Sequence, residues 1–207
     1  MLRNLFTDQE WKTLRRLDHP HKIQSFLNQL PTNFEVDGDE CKSPRRVLAK
    51  GNAHCMEGAM LAALALRVHG ERPLVLDLTS RRDDDDHVVA LFKQGNCWGA
   101  ISKTNHAVLR FREPIYKTVR ELAMSYFHEY FLQNGGAKTL RSYAVADLSR
   151  FDKRGWMTAK EDVWYVPEHL FDIIHTEILT RSQIARLRRA DPIEIQAGDI
   201  LEWRPGH

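Results

Sequence analysis

The densest apolar stretch of the chain, Ala59 to Leu66, lies inside a longer segment, Ala53 to His69, that is apolar on nearly every side. A helix of that kind sits in the middle of a core, and Gly70 closes it. Shorter helical patterns precede it. Thr7 to Leu17 starts with Thr7 and Glu10 at capping-box spacing. Pro20 separates it from His21 to Leu30, which Pro31 ends. Thr32 to Cys41 is polar and reads as loop, and Ser43-Pro44 opens a short helix to Ala49. After the long helix the pattern changes to strands: Pro73 to Leu78, His87 to Phe92 and Cys97 to Ser102, the last two joined across Lys93-Gln94-Gly95-Asn96. Further on, Glu113-Pro114 starts a pattern with aromatics at helical spacing that runs to Leu132 and stops at Gly135-Gly136. Lys138 to Tyr143 reads as a strand, Pro167 to Leu179 as a helix, Ser182 to Arg189 as a short basic helix, and Pro192 to Trp203 as strand-like. The expected architecture is α+β, a central helix on a small antiparallel sheet with flanking helices. It forms one domain over 1–207, with a core at 43–143, a helical N-terminal extension at 1–42 and a C-terminal extension at 144–207.

Composition changes this picture little. The 207 residues are 43% hydrophobic and 28% charged, with a net charge of +2, which describes an ordinary globular chain without the electrostatic footprint of a nucleic-acid binder. No apolar run is long enough to span a bilayer, and the segment Met1 to Asp8 lacks the apolar core of a signal peptide. The cysteines Cys41, Cys55 and Cys97 are three in number and widely spaced, which argues for a reducing, cytoplasmic setting rather than a disulfide framework.

The cysteines supply the chemistry. Cys55, in Gly51-Asn52-Ala53-His54-Cys55-Met56-Glu57-Gly58-Ala59, opens the central helix, where the positive end of the helix dipole favours a thiolate. His87, in Asp86-His87-Val88-Val89-Ala90-Leu91-Phe92, opens a strand and is the candidate base. A four-residue hairpin turn pairs Phe92 with Cys97 and brings His87 opposite Ser102.

These segments, with Gly95-Asn96-Cys97-Trp98-Gly99-Ala100-Ile101-Ser102, resemble the nucleophile helix, histidine strand and following strand of the transglutaminase-like superfamily, which shares its Cys-then-His order with papain-like folds. The resemblance covers roughly Ser43 to Asn105. It implies acyl transfer or amide hydrolysis through Cys55 and His87, no cofactor, and a peptide or protein substrate. Where the family has an aspartate, this chain has Ser102, and Asn105 is the other candidate for orienting the imidazole. The candidate catalytic set is therefore Cys55, His87, Ser102 and Asn105. Asp77 and Asp86 are less well placed for that role. The backbone amide of Cys55 is a candidate oxyanion donor, with Asn52 or His54 as a further one.

Each feature has a plainer reading. Cys55 can be a small buried hydrophobe, His87 a structural histidine, Ser102 a strand-end residue and Asn105 a turn residue. With the family's aspartate missing, the alternative to an enzyme is a catalytically inactive relative that keeps the fold as a binding or scaffold module. Asp83 to Asp86 lack the alternating pattern of a calcium loop and read as a solvated loop. The cysteines form no C-x-x-C pair for zinc, and His128-Glu129 lacks the second histidine of H-E-x-x-H. Tyr116, Tyr126, Phe127, Tyr130 and Phe131 read as core. Arg181, Arg186, Arg188 and Arg189 read as an exposed face, or as a dock for an acidic partner such as nucleic acid.

Overall fold

The computed structural model describes residues 2–36 and 38–205; Met1, Asp37 of the expected 32–41 loop, Gly206 and His207 lie outside the described residues. The chain forms helices α1 (Asp8–Arg16), α2 (Pro20–Gln29), α3 (Pro44–Lys50) and α4 (Cys55–Val68), then strands β1 (Leu74–Thr79), β2 (His87–Gln94), β3 (Cys97–Ile101) and β4 (Arg112–Tyr116). Helix α5 (Val119–Met124), β5 (Ser142–Asp147), α6 (Tyr165–Asp172), β6 (Thr176–Glu177), α7 (Arg181–Ile184) and α8 (Pro192–Gly198) follow. The fold is α+β. Its sheet is larger than expected, six antiparallel strands in the order β4-β3-β2-β1-β5-β6. β5 crosses the expected core boundary at 143 and sits next to β1, at the centre of the sheet.

Helix α4 explains the architecture. Every residue from Met56 to Leu66 is buried, so the helix needs cover on all sides. The sheet supplies one side through Val75, Val88, Ala90, Phe92 and Ile101, and α1, α2 and α3 add Leu14, Ile23, Leu27 and Val47 to the same core, which Trp156, Met157 and Val163 also join. Each fully buried Leu or Met of this helix contributes about 1.5–3 kcal/mol. The opposite face of the sheet, with Leu76, Leu78, Val89 and Leu91, is covered by Leu122, Tyr126, Phe127 and Tyr130. Both faces of β1 and β2 are therefore buried, which is why these strands read as continuous apolar runs rather than as alternation.

Most helix starts follow their signals. Thr7 and Glu10 form the expected capping box. Pro20, expected to separate two helices, is instead the first residue of α2, with His19 as its cap. Several elements differ, among them the strand expected over Lys138 to Tyr143, which is found later, at Ser142–Asp147. The segment expected as one helix from Glu113 to Leu132 divides into β4, α5 and a 3-10 turn at Phe127–Glu129. Its first part is claimed by β3, through Trp98↔Tyr116 and Ala100↔Arg112, and Thr118 with Glu121 then caps a new helix. Its aromatics Tyr126, Phe127, Tyr130 and Phe131 are nonetheless buried in the core. The segment read as a helix from Pro167 to Leu179 ends at Asp172 and turns into the short edge strand β6, pairing with β5. The strand-like reading of Pro192 to Trp203 fails because Asp191-Pro192-Ile193-Glu194 is a helix start. The Asp191 N–H donates to Glu194 at 2.6 Å and Pro192 occupies the first turn. The basic helix is a single turn, and Arg188 and Arg189 are tied to Asp191 and the Gly135 carbonyl. Among the described residues no helix is long and apolar enough to cross a membrane.

One contact fixes α4 against β3's exit. A Cβ built on Gly58 would stand 2.4 Å from the Cβ of Lys103. Gly58→Ala gains about 1 kcal/mol of helix propensity, but the overpacking costs about 1–3 kcal/mol. We expect a net loss of stability, read as a lower urea midpoint with unchanged slope; an unchanged or raised midpoint would show that the helix and Lys103 can separate freely.

Candidate active site

The site forms at the N-terminus of α4. Gly51, at φ +73, ends α3 in the left-handed conformation that glycine adopts without strain. The chain then runs extended through Ala53, which donates to the Pro31 carbonyl (3.1 Å) and accepts from Asn33 (3.2 Å), before His54 starts the helix as its N-cap. Glu57, three residues on, accepts the His54 N–H at 3.0 Å. Its buried carboxylate also takes the Lys42 N–H at 2.9 Å and faces Lys42 Nζ at 3.2 Å. Cys55 is thereby fixed as the first helical residue. The first intrahelical bond runs from the Gly58 N–H to the His54 carbonyl (2.9 Å), so helix geometry leaves the Cys55 N–H without an intrahelical partner.

Two histidines meet the half-buried Cys55 thiol. Burial alone would raise it, but hydrogen bonds from His54 and His87, and their positive charge, outweigh burial and hold it well below the usual thiol range. Burial would depress His54 in turn; the bond to Cys55 and its charge, the Glu57 charge and the Glu40 carbonyl (3.1 Å) together push it up to about 9. His54 is thus cationic at neutral pH, a second imidazole that the sequence had suggested only as an oxyanion donor.

His87 is buried, and its Nε2 lies 2.8 Å from Ser102 Oγ. The Ser102 hydroxyl donates to the Leu109 carbonyl at 2.6 Å. Since its one hydrogen is spent there, Ser102 offers a lone pair to His87, and Nε2 carries the proton. The remaining nitrogen, Nδ1, is the one left to face Cys55. The expected contact of His87 with Ser102 is present, although the register expected to place them opposite each other is not. The turn is two residues, Gly95 and Asn96, with Gln94 opposite Cys97 and Ala90 opposite Ile101. Gly95, at φ +59, supplies the left-handed residue such a turn requires. The ladder is displaced by two residues from the expected one, and a displacement of two leaves every side chain on its face.

Gln24 is part of the support that sequence reading missed. From α2 its side chain accepts the Ser102 N–H at 2.9 Å and donates to the Ser102 carbonyl at 2.8 Å. Nothing in the local pattern of α2 marks a residue that clamps a strand 78 positions away.

Asn105 does not orient the imidazole. Its side chain accepts the Trp203 N–H at 2.8 Å and donates to the Trp203 carbonyl at 3.0 Å, so both ends of its amide hold the C-terminal segment. Asp77 binds His175 (2.9 Å), and Asp86 accepts the Ser80 N–H (2.7 Å). The other thiols differ from Cys55: burial pushes Cys41 up to about 12, and Cys97 lies at the hairpin end opposite Gln94.

A cavity of about 430 Å³ opens over Cys55, bounded by His54, His87, Lys103, Asn105, Tyr130 and the Asp84–Asp86 loop. Lys103 Nζ, buried, donates to the Leu30 carbonyl (2.6 Å) at the C-terminus of α2, and burial lowers it to about 8. The aspartate loop is tied down locally, Tyr130 Oη donating to the Asp85 carbonyl at 2.6 Å. Among the described residues no group of three or more His, Cys, Asp or Glu side chains is arranged to hold a metal ion. No protein-family model and no curated protein matches the chain.

The geometry makes a prediction about pH. The Cys55 thiolate exists below the free-thiol range, while the His54 imidazolium persists until about pH 9. Iodoacetamide labelling of Cys55, followed by peptide mass spectrometry, should set in at a pH well below that of a free thiol, with Cys41 unlabelled in the native protein. His54→Ala and His87→Ala should each move the onset to higher pH. A Cys55 that reacts only above pH 8 in the parent would show that the two imidazoles do not stabilise the thiolate.

Proposed function

We propose that the protein is a cysteine-nucleophile enzyme of transglutaminase-like or papain-like design that transfers or hydrolyses an acyl group from an amide, in a peptide or protein. The observation carrying this reading is a thiol at a helix N-terminus, held down by two histidines, one of which has its far nitrogen fixed by Ser102. His54 keeps its charge and favours the thiolate; His87 moves the proton. Cys55 Sγ attacks the carbonyl carbon, and the free Cys55 N–H takes part of the charge on the carbonyl oxygen. The C–N bond breaks as His87 gives its proton to the leaving amine, which leaves a thioester on Cys55. Water or a second amine, deprotonated by His87, then attacks the thioester and releases the thiol. Ser102 accepts a hydrogen bond from the Nε2–H throughout, with a dipole in place of the family's carboxylate charge. No helix that could cross a membrane is present among the described residues, and a reducing, cytoplasmic setting suits a free thiol.

p-Nitrophenyl acetate tests the reading as a generic acyl donor. The parent should release p-nitrophenolate in a burst matching acetyl thioester on Cys55 by peptide mass spectrometry. Cys55→Ala should show no burst, and His87→Ala a rate lower by about 10²–10⁴. A folded parent that alkylates at Cys55 but forms no thioester would favour a non-catalytic binding module, the reading that the absent carboxylate supports.

A further inference from the structure

Leu109, whose carbonyl takes the Ser102 hydroxyl proton, has φ +60. A leucine is strained in that left-handed conformation, and something must hold it there. The Leu109 N–H donates to Glu129 Oε2 at 2.7 Å. Glu129 is itself gripped: its Oε1 lies 2.7 Å from Arg112 Nη2, and that guanidinium stacks 4.1 Å from the centre of the Tyr126 ring and donates from Nε to Ser125 Oγ at 3.0 Å.

The geometry points to Glu129 as a positioning residue for His87: by holding Leu109 in its left-handed turn, it aims the carbonyl that fixes the Ser102 hydroxyl, and so the proton on His87 Nε2. The inference rests on the acyl-transfer reading for its kinetic consequence, but not for its structural one. Without the carboxylate, Leu109 relaxes to negative φ and its carbonyl leaves Ser102. The freed hydroxyl can then donate to Nε2 of the neutral His87 ring, which places the ring proton on Nδ1 and leaves no lone pair there to take the Cys55 proton. A serine thus serves beside this histidine because an acid further out sets the direction of its hydroxyl. The acid does not touch the imidazole, which is why no carboxylate at triad spacing marks it in the sequence.

Two measurements test it. In the first, Glu129→Ala should slow acetylation of Cys55 by p-nitrophenyl acetate about tenfold, the scale set by left-handed strain at a non-glycine residue. Adding Leu109→Gly, which adopts positive φ freely, should restore most of the rate. Adding Glu129→Ala to Ser102→Ala should cost nothing further, since both act through one hydroxyl. Multiplying losses, or no recovery with glycine, would overturn the inference and leave Glu129 a merely structural residue. The second measurement needs no catalysis. In Cys55→Ala, ¹⁵N shifts of His87 at pH 8 should report the Nε2–H tautomer, and Glu129→Ala in that background should move the population toward Nδ1–H. An unchanged tautomer would also overturn the inference. A parent that forms no thioester but shows the tautomer change would fail the proposed function alone.

Discussion

The site depends on one buried carboxylate. Glu57 is fully removed from water, a position an unpaired charge cannot hold. Its partners come from separate pieces of chain: the backbone and ammonium of Lys42 from the stretch before α3, the His54 N–H from the helix cap, and Asn33 Nδ2 at 3.4 Å. Satisfying this one group therefore fixes where α4 begins relative to the loops around it. Losing one member of such a buried pair costs about 3–5 kcal/mol, far more than any exposed ion pair here contributes. Lys42 extends the network to Glu40 (2.7 Å), and Glu40 to Arg46 (3.1 Å). Cys55 stands on a polar foundation built into an otherwise apolar core.

That foundation also sets the charge on the site. The Glu57 carboxylate lies 3.6 Å from His54 Nε2, so the carboxylate that starts the helix also helps keep the neighbouring imidazole protonated. His87 is held by a neutral group instead, Ser102, whose hydroxyl the Leu109 carbonyl fixes. One histidine thus has a carboxylate beside it, and the other an uncharged hydroxyl. Two imidazoles around one thiol need not be redundant when their neighbours differ in this way.

Much of this was legible in the sequence, for identifiable reasons. The central helix, its cysteine at the start, the strand opened by His87 and the contact with Ser102 are all set by local pattern and strand parity, and parity survived an error of two residues in the turn. Asn105 was misjudged because a polar residue near the site in sequence has no mark showing that its amide is spent on Trp203. The stretch 113–132 was misjudged because aromatics at helical spacing bury equally well from a strand, a short helix and a turn. Gln24, Glu129 and the bond from Lys103 to Leu30 act across long sequence separations, which no local periodicity encodes.

The enclosure of α4 has a consequence for recognition. Sheet and helices surround its shaft, so only its tip, with Cys55, faces the cavity. The cavity therefore meets this helix at its Cys55 end, and its walls come from the connecting segments around that tip: the aspartate loop, the stretch from Lys103 to Leu109, and the turn at Glu129 to Gln133. None of these is part of the packed shaft. On the acyl-transfer reading, choice of substrate falls to those rim side chains that neither fill the core nor position His87, among them Asp84, Thr104, Val108 and Gln133.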